Sequence, residues 1–280
     1  MVKKIVNVYK QNYINNIGMG IGDYIRGLFF LLQFCMEYNI EFDLDFSQHP
    51  ISKYLITSEY ESEINNIEKI NYENVEYFFH YKITTNEFMN NYIINKKEET
   101  HYLFTNNHPM NDITDIQKNI IKNKFIPNQE LTVAIENTLN KLKLTKNEYN
   151  IIHIRVGDRY INQNNKLDEN TLNDIYNILE KKIIFDQKFL ILSDSNELKQ
   201  LLKNKYDNLI LEINEIMHLA HDCINTDALK NTLIDFFLIS YAKSVLCLSI
   251  YDHLSGFSEY CSIMNNIPCE KIKLNNYLCQ

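Results

Sequence analysis

The residues best suited to binding an anionic ligand are concentrated in three short stretches of the 280-residue chain. Only six glycines occur, four in NNIGMGIGDYIRG (15–27), one in HIRVGD (153–158) and one in HLSGFS (253–258). All three arginines lie in or next to the first two stretches: Arg26, Arg155 and Arg159. Glycine permits a positive φ and close approach to a ligand, and arginine supplies a flat, two-pronged cation. The three stretches are therefore predicted to form the functional site.

HIRVGD follows an apolar strand predicted over residues 149–154. In a doubly wound sheet, ligands bind outside the carboxyl ends of the strands. A guanidinium at that place can hold two phosphate oxygens and neutralise a departing diphosphate, which is the predicted role of Arg155. The alternative for Arg155 is a structural pair with Asp158. His153 alternates with Arg155 and is alternatively a hydrogen-bonded core histidine.

The glycine cluster of Gly18, Gly20 and Gly22 joins a predicted strand to a predicted helix. Its spacing is neither the Rossmann GxGxxG nor a P-loop. Because a helix N-terminus offers unpaired N–H groups and a positive dipole end, we predict a ligand-facing loop here, with Arg26 beside it. The alternative is a tight turn whose glycines serve packing. Asp23 then stands in the first helical turn, where a carboxylate also complements the helix dipole.

Composition excludes several classes of protein. The net charge of −8 argues against a nucleic-acid partner, which requires a basic face. Six cysteines without a CxxC pair indicate reduced thiols rather than a disulfide framework. The N-terminus is too short in apolar length for a secretory signal, and the apolar run 233–251 contains Asp235 and Lys243, so no membrane span is expected. The expected location is the cytoplasm, or the host cytoplasm if the chain is viral.

Hydrophobic periodicity predicts an α/β protein with two domains. Residues 3–46 have the pattern strand, glycine loop, amphipathic helix, strand, which is a βαβ unit. The second half alternates strands and helices more regularly, as parallel sheets covered on both faces do. The polar run 145–150 predicts a boundary between an acceptor-side domain, 1–145, and a nucleotide-binding domain, 146–280, which face a cleft.

Two patterns that could bind a metal are interpreted as structural. Asp43-Leu44-Asp45 has the DxD spacing of some metal-dependent transferases, but it lies inside an alternating strand. His218, His221 and Asp222 offer ligands at helical spacing without a further ligand at a telling distance, which favours a polar loop. We therefore predict no metal site.

The motifs together resemble a known family. HIRVGD resembles the HxRxGD motif of the fucosyltransferase superfamily that contains the α1,2-, α1,6- and protein-O-fucosyltransferases. The opening glycine loop, the LILSD strand (190–194) and the stretch 233–262 are similar to further motifs of that family, in the same order. The resemblance implies a GT-B fold of two Rossmann-like domains. It also implies an inverting, metal-independent transfer of fucose from GDP-fucose to a glycan or other hydroxyl acceptor, with no cofactor.

The resemblance also implies roles for residues. Arg155 would bind the β-phosphate, and His153 and Asp235 would contact guanosine. A carboxylate in an apolar helix needs a partner, and guanine offers two adjacent N–H donors; the alternative is a surface aspartate. The predicted donor-binding set comprises His153, Gly157, Asp158, Asp194, Asp235, Ser255, Gly256, Phe257 and Ser258.

Two departures keep other functions open. The family often has two adjacent arginines, whereas Val156 follows Arg155, and the final turn has fewer serines than usual. GMGIGD also resembles the loop of ADP-heptose-using GT-B transferases, in which the loop aspartate is the base, so Asp23 is the predicted catalytic base. The alternatives are a transferase with another nucleotide-sugar donor and a catalytically silent sugar-nucleotide-binding protein.

Overall fold

The computed structural model describes residues 3–9, 19–47, 49–56, 99–103, 105–161, 166–183, 187–219 and 225–275. The chain divides into two compact units. The first comprises residues 1–128 and 219–222, and the second comprises the remainder. The division precedes the helix at 129–142, whereas the sequence predicts a boundary after that helix, at 145/146.

In the first unit, the described strands β1 (Lys4–Val8), β2 (Glu41–Asp45) and β3 (Thr100–Leu103) form a parallel sheet with β1 in the middle. Helix α1 (Ile21–Tyr38) connects β1 to β2. Apolar residues surround most of its circumference, so it is buried along nearly its whole length. Helix α2 (Asp115–Lys122) begins with a capping box. The predicted βαβ unit at the start of the chain is confirmed.

The second unit contains a five-stranded parallel sheet in the order β6-β5-β4-β7-β8. Its strands are β4 (Asn150–Arg155), β5 (Phe189–Ser193), β6 (Leu209–Leu211), β7 (Ser244–Ser249) and β8 (Cys269–Lys273). Its helices are α3 (Gln129–Leu142), α4 (Glu169–Lys182), α5 (Asn196–Lys205), α6 (Thr226–Ser240) and α7 (Gly256–Met264).

The order of these strands creates a topological switch point. From β4 the chain proceeds through β5 to β6 on one side, then returns to place β7 on the other side of β4. Ligands of open α/β sheets bind in the crevice outside the carboxyl ends of the strands at such a point. Arg155 ends β4 and pairs in register with Ser249, which ends β7. The switch point therefore lies at the predicted donor motif.

The core of the second unit holds this edge of the sheet in place. β4 and β5 are buried on both faces, because helices cover the sheet on both sides. Ile152, Ile154 and Leu248 belong to one buried cluster that also contains side chains of α4 and α5. The first residues of HIRVGD therefore lie on a strand that is buried along almost its whole length.

Candidate functional site

Arg155 lies between two aspartates at the carboxyl end of β4. Its Nη1 is 3.2 Å from Oδ2 of Asp194, and its Nη2 donates to Oδ1 of Asp158. The ring of Tyr251 lies 6.0 Å from the guanidinium carbon. The Arg155 side chain is 16% exposed, against 2% for Asp194 and 46% for Asp158. One ion-pair partner is therefore fixed in the interior and the other is open to solvent.

Asp194 organises the backbone of the motif. Its two carboxylate oxygens accept hydrogen bonds from the amides of Val156, at 2.8 Å, and Gly157, at 2.7 Å. Burial raises the pKa of Asp194, and the positive charge of Arg155 and the two amides oppose that rise. The structure thus places Asp194 behind Arg155 as a positioning carboxylate, and its direct contact with a donor stays a prediction.

Gly157 has a backbone conformation that other residues rarely adopt. Its φ is 120° and its ψ is 155°. A β-carbon built there would lie 3.2 Å from the hydroxyl of Tyr251. The positive φ therefore favours glycine at this position, and the hydroxyl of Tyr251 leaves little room for a β-carbon. The chain then enters a short 3-10 turn, Asp158–Tyr160.

His153 connects β4 to the start of α7. Its Nδ1 lies 3.0 Å from Oγ of Ser258, and its ring centroid lies 5.7 Å from that of Phe257. Burial lowers the pKa of His153 to about 3, and the charge of Arg155 acts in the same direction. The imidazole is therefore neutral at physiological pH. Three of the predicted donor-binding residues are in mutual contact.

The turn at Ser255–Ser258 offers backbone rather than side-chain donors. Ser258 is completely buried, and its hydroxyl contacts His153. Ser255 is the N-cap of α7 but makes no side-chain capping hydrogen bond. The N–H groups of the first turn, which begins at Gly256, have no partner within the helix. Such a helix N-terminus favours an anion.

Asp235 lies in the middle of α6 and is partly buried. No described residue donates a hydrogen bond to its carboxylate. Burial raises the pKa of Asp235 to about 6, while Lys199 lowers it and Glu212 raises it further. A partly buried carboxylate without a protein donor loses part of its hydration and gains nothing in exchange, which is costly. This is the environment expected of a group that receives its donors from a ligand.

In the first unit, Asp23 and Arg26 form an ion pair on α1. Nη2 of Arg26 lies 3.0 Å from Oδ1 of Asp23, and Nε of Arg26 donates to the carbonyl of Asn106 at 2.7 Å. Arg26 is buried, and Asp23 is partly exposed. Arg26 therefore fastens α1 to the segment after β3. Its predicted role at a diphosphate is untested, as is the role of Asp23 as a base.

The glycines of the first stretch have different structural reasons. A β-carbon on Gly27 would lie 1.7 Å from the carbonyl oxygen of Thr105, so Gly27 permits close packing of α1. Gly20, the N-cap of α1, has φ −64° and ψ 152°, which any residue can adopt. Gly22 is buried in the first turn of α1. Gly18 lies outside the described residues.

The chain resembles solved fucosyltransferases in three dimensions, although no family model and no curated sequence matches it. It is similar to fucosyltransferase NodZ from Bradyrhizobium, with a TM-score of 0.57 and 10% identity over 93% of each chain. It is similar to Arabidopsis thaliana FUT1 in complex with GDP, with a TM-score of 0.63 and 10% identity over 99% of this chain and 71% of that chain. A third similar structure is POFUT1 in complex with GDP, with a TM-score of 0.52 and 8% identity over 98% of each chain.

The chain has the GT-B fold of these fucosyltransferases. The fold that the HIRVGD resemblance implies is therefore confirmed. Because the identities are near 10%, the likeness concerns the fold. The roles of individual residues rest on their own geometry.

The possible metal patterns have other contacts where the structure describes them. Asp43 pairs with Lys124 at 2.6 Å and with Lys4 at 3.2 Å, and Asp45 accepts hydrogen bonds from Ser47. Among the described residues, no three His, Cys, Asp or Glu side chains are grouped as metal ligands. His221 and Asp222 are outside that part of the chain.

No helix of the described ranges is long and apolar enough to span a bilayer.

Two residues near the site were not predicted as site residues from the sequence. Tyr251 follows β7 and lies against both Arg155 and Gly157. Lys199 on α5 is only 2% exposed. The sequence signal for Lys199 is its position beside Leu198 and Leu202, the buried leucines of an amphipathic helix. Tyr251 had no such signal, because only the folding of β7 beside β4 brings it to HIRVGD.

Proposed function

We propose that this protein is an inverting glycosyltransferase that transfers a sugar, most simply fucose, from a GDP-sugar to a hydroxyl acceptor. The observation that carries the proposal is the placement of Arg155 at the switch point of the sheet, oriented from behind by the buried Asp194. The similarity to solved fucosyltransferases supports the same proposal.

The chemistry follows from where charge develops. The acceptor oxygen forms a bond to the anomeric carbon while the bond from that carbon to the β-phosphate oxygen breaks, and the leaving GDP takes the electron pair. Arg155 and the free N–H groups of α7 bind the diphosphate more strongly as its charge grows, which lowers the barrier. Asp158 is the solvent-exposed partner that the diphosphate would replace on Arg155. These cationic and N–H donors supply the leaving-group stabilisation without a metal ion in this proposal.

The base would be bound by His153, Phe257 and Asp235. A neutral imidazole has one N–H donor and one acceptor nitrogen, so His153 can hydrogen-bond a nucleoside without carrying a charge. The Asp235 carboxylate, which has no described donor, would accept the N1–H and N2–H groups of guanine. Adenine, uracil and thymine lack this pair of adjacent donors.

Asp23 is the proposed base that removes the acceptor proton. Its position in the first turn of α1 and its partial exposure support this role, and Arg26 fixes one of its oxygens. The proposed acceptor is a glycan or another hydroxyl compound. The buried free thiols Cys35 and Cys247 support the cytoplasm as the proposed compartment.

A panel of nucleotides in a thermal-shift assay tests the donor class. GDP should raise the melting temperature, whereas ADP, UDP and TDP at the same concentration should not. A ligand at about 100 times its Kd stabilises the native state by about 2.7 kcal/mol. Stabilisation by another nucleotide in place of GDP would reassign the donor, and no response to any nucleotide would contradict the proposal.

A further inference from the structure

Lys199 is a buried lysine that the proposed chemistry does not use. It is 2% exposed and lies on α5 between the buried Leu198 and Leu202. Lysine is almost never fully buried unless its charge is compensated. Its Nζ donates to the carbonyl of Glu212 at 3.0 Å, and it makes no ion pair within 4.0 Å to any described carboxylate. Among the described residues, the carboxylates that compensate its charge are Asp235, Glu212 and Asp194, which act at longer range.

The segment 212–217 connects Lys199 to the helix that carries Asp235. On the α5 side, Lys199 binds the carbonyl of Glu212, and Nδ2 of Asn196 donates to the carbonyl of Asn214 at 3.0 Å. Asn196 and Lys199 are three positions apart, so they lie on the same face of α5. That face is directed at the segment.

The same segment is held from the other side by α6. Nδ2 of Asn231 donates to the carbonyl of Glu215 at 2.9 Å, and the amide of Met217 donates to Oγ1 of Thr232 at 3.0 Å. Asp235 follows these residues by four and three positions, so it lies on the same helix face one turn later. Lys199 and Asp235 thus belong to two helix faces that pack on one segment.

The charges around Asp235 act in opposite directions. Lys199 on α5 stabilises the carboxylate form, whereas Glu212 disfavours it. Glu212 is itself ion-paired with Lys141 of α3, which partly compensates its charge. Burial lowers the pKa of Lys199, and Asp235, Glu212 and Asp194 oppose that shift. The ammonium is therefore stabilised by carboxylates at both ends of the proposed donor site.

We propose that Lys199 is a positioning residue for recognition of the base: its buried ammonium keeps Asp235 ionised, so that the carboxylate can accept both N–H groups of guanine. This inference rests on the proposed function. A protonated Asp235 would have an O–H of its own to place and could accept fewer donors from the base. Lys199 thus sets the pH range in which guanine is bound, although Lys199 itself does not contact guanine.

The test is the pH dependence of GDP-fucose binding, measured by calorimetry for the wild type, Lys199→Met and Lys199→Arg. GDP-fucose is preferred to GDP because the terminal phosphate of GDP titrates at about pH 6 and would overlap with the titration of Asp235. Lys203→Met is the matched control. Lys203 lies one turn further along α5, and its Nζ donates to two backbone carbonyls, of Asp207 and Leu209, at 2.8 Å each.

Wild-type affinity should fall as the pH drops through about 6, the pKa of Asp235. In Lys199→Met the midpoint should move upward by about one pH unit, which weakens binding by about 2-fold at about pH 7 and by about 10-fold at about pH 5, with recovery in more alkaline buffer. Lys199→Arg and Lys203→Met should keep the wild-type midpoint. If Lys199→Met does not fold, Lys199→Gln supplies the same comparison.

The outcomes separate this inference from the proposed function. An unchanged midpoint in the uncharged Lys199 variants, with GDP-fucose bound by the wild type, overturns the role of Lys199 alone. Equal loss of affinity at every pH in those variants, without a shift of the midpoint, indicates a purely structural lysine and also overturns it. A wild-type chain that binds no GDP-fucose at any pH overturns the proposed function and this inference with it.

Discussion

Arg155 has two carboxylate partners that differ in accessibility. The buried Asp194 fixes the guanidinium from behind, and the exposed Asp158 occupies the side where a ligand would bind. A planar guanidinium can serve a fixed partner and a phosphate at once, whereas an ammonium is a single point charge. The identity of this residue should therefore matter more than its charge.

Replacing Arg155 by lysine should remove most of the activity. The expected loss in kcat is about 10²–10³-fold, the range found when one donor that stabilises a developing charge is removed. Initial rates of GDP release from GDP-fucose measure it. Arg159→Lys is the control, because the Arg159 guanidinium lies 4.8 Å from the adjacent Tyr160 ring. Near-normal turnover of Arg155→Lys would contradict its role.

The Asp235 carboxylate should lower the stability of the ligand-free protein, although it is needed to bind GDP. Its pKa of about 6 in the folded protein lies above the ordinary 3.8 of an aspartate, so near neutral pH the native state holds a carboxylate that burial disfavours. In Asp235→Asn the ligand-free protein should be more stable near pH 8 by about 1–3 kcal/mol. Stabilisation by GDP should be lost in the same variant.

Urea unfolding with and without GDP measures both effects of Asp235→Asn. Asp227→Asn is the matched control, because Asp227 is an exposed residue in the first turn of the same helix. Removing that charge should lower stability by about 0.3–1 kcal/mol through the helix dipole and leave GDP binding intact. An Asp235→Asn variant that still binds GDP like the wild type would exclude the carboxylate from base recognition.

At the scale of elements, the packing of α1 depends on Gly27. The backbone of residue 105 occupies the space where a β-carbon of Gly27 would lie. Gly27→Ala should therefore destabilise the protein by about 1–3 kcal/mol or more, because the backbone must move to admit the methyl group. The free energy of unfolding in urea is the measurement.

Gly20→Ala is the comparison for Gly27→Ala, since the φ of −64° at Gly20 suits any residue. Its effect should stay within about 1 kcal/mol, the typical loss for alanine at an N-cap. Equal destabilisation by both substitutions would contradict the assignment of Gly27 to packing.

Elements with strong periodicity were predictable from the sequence, and contacts between distant elements were not. The alternation of apolar residues predicted β4, and the capping preference of serine predicted Ser195 at the start of α5, where its side chain accepts from the amide of Leu198. The approach of Asp194 to Arg155 depends on the register of β4 with β5, in which Ile154 pairs with Ser193. Local patterns do not encode that register.

The candidate site was predictable to a similar degree. HIRVGD indicated the strand end and its arginine, because residue types and spacing are local properties. Tyr251 and Lys199 escaped notice, because each acquires its role only from the strand or helix that folds against it. The division of the chain before α3 was also hidden, because a polar run marks a loop but not the unit to which the preceding helix belongs.

At the scale of the whole molecule, each unit contains a buried histidine that is kept neutral. Burial lowers the pKa of His49 to about 4 and that of His153 to about 3. As the pH falls, both histidines become protonated at about pH 6.5 in the unfolded chain and only at lower pH in the folded protein. Each histidine therefore contributes stability that is complete above that pH and is lost as the pH falls toward the folded pKa.

Substituting either histidine should reduce the sensitivity to acid. Between about pH 7 and pH 5, the free energy of unfolding of the wild type should fall by about 2 kcal/mol relative to His153→Gln, and by a similar amount relative to His49→Gln. Chemical denaturation at several pH values measures the differences. A constant difference between wild type and variant across this range would show that the histidine is not held neutral.

In the proposed function, the second unit binds a GDP-sugar through Arg155 and promotes loss of GDP from it. The most direct measurement is the release of GDP when purified wild-type protein is incubated with GDP-fucose, with Arg155→Lys in parallel. We predict release by the wild type that increases when a suitable hydroxyl acceptor is added, and a strong reduction in the variant. Binding of GDP-fucose without release, under any acceptor tried, would indicate a silent nucleotide-sugar-binding protein and contradict the enzymatic claim.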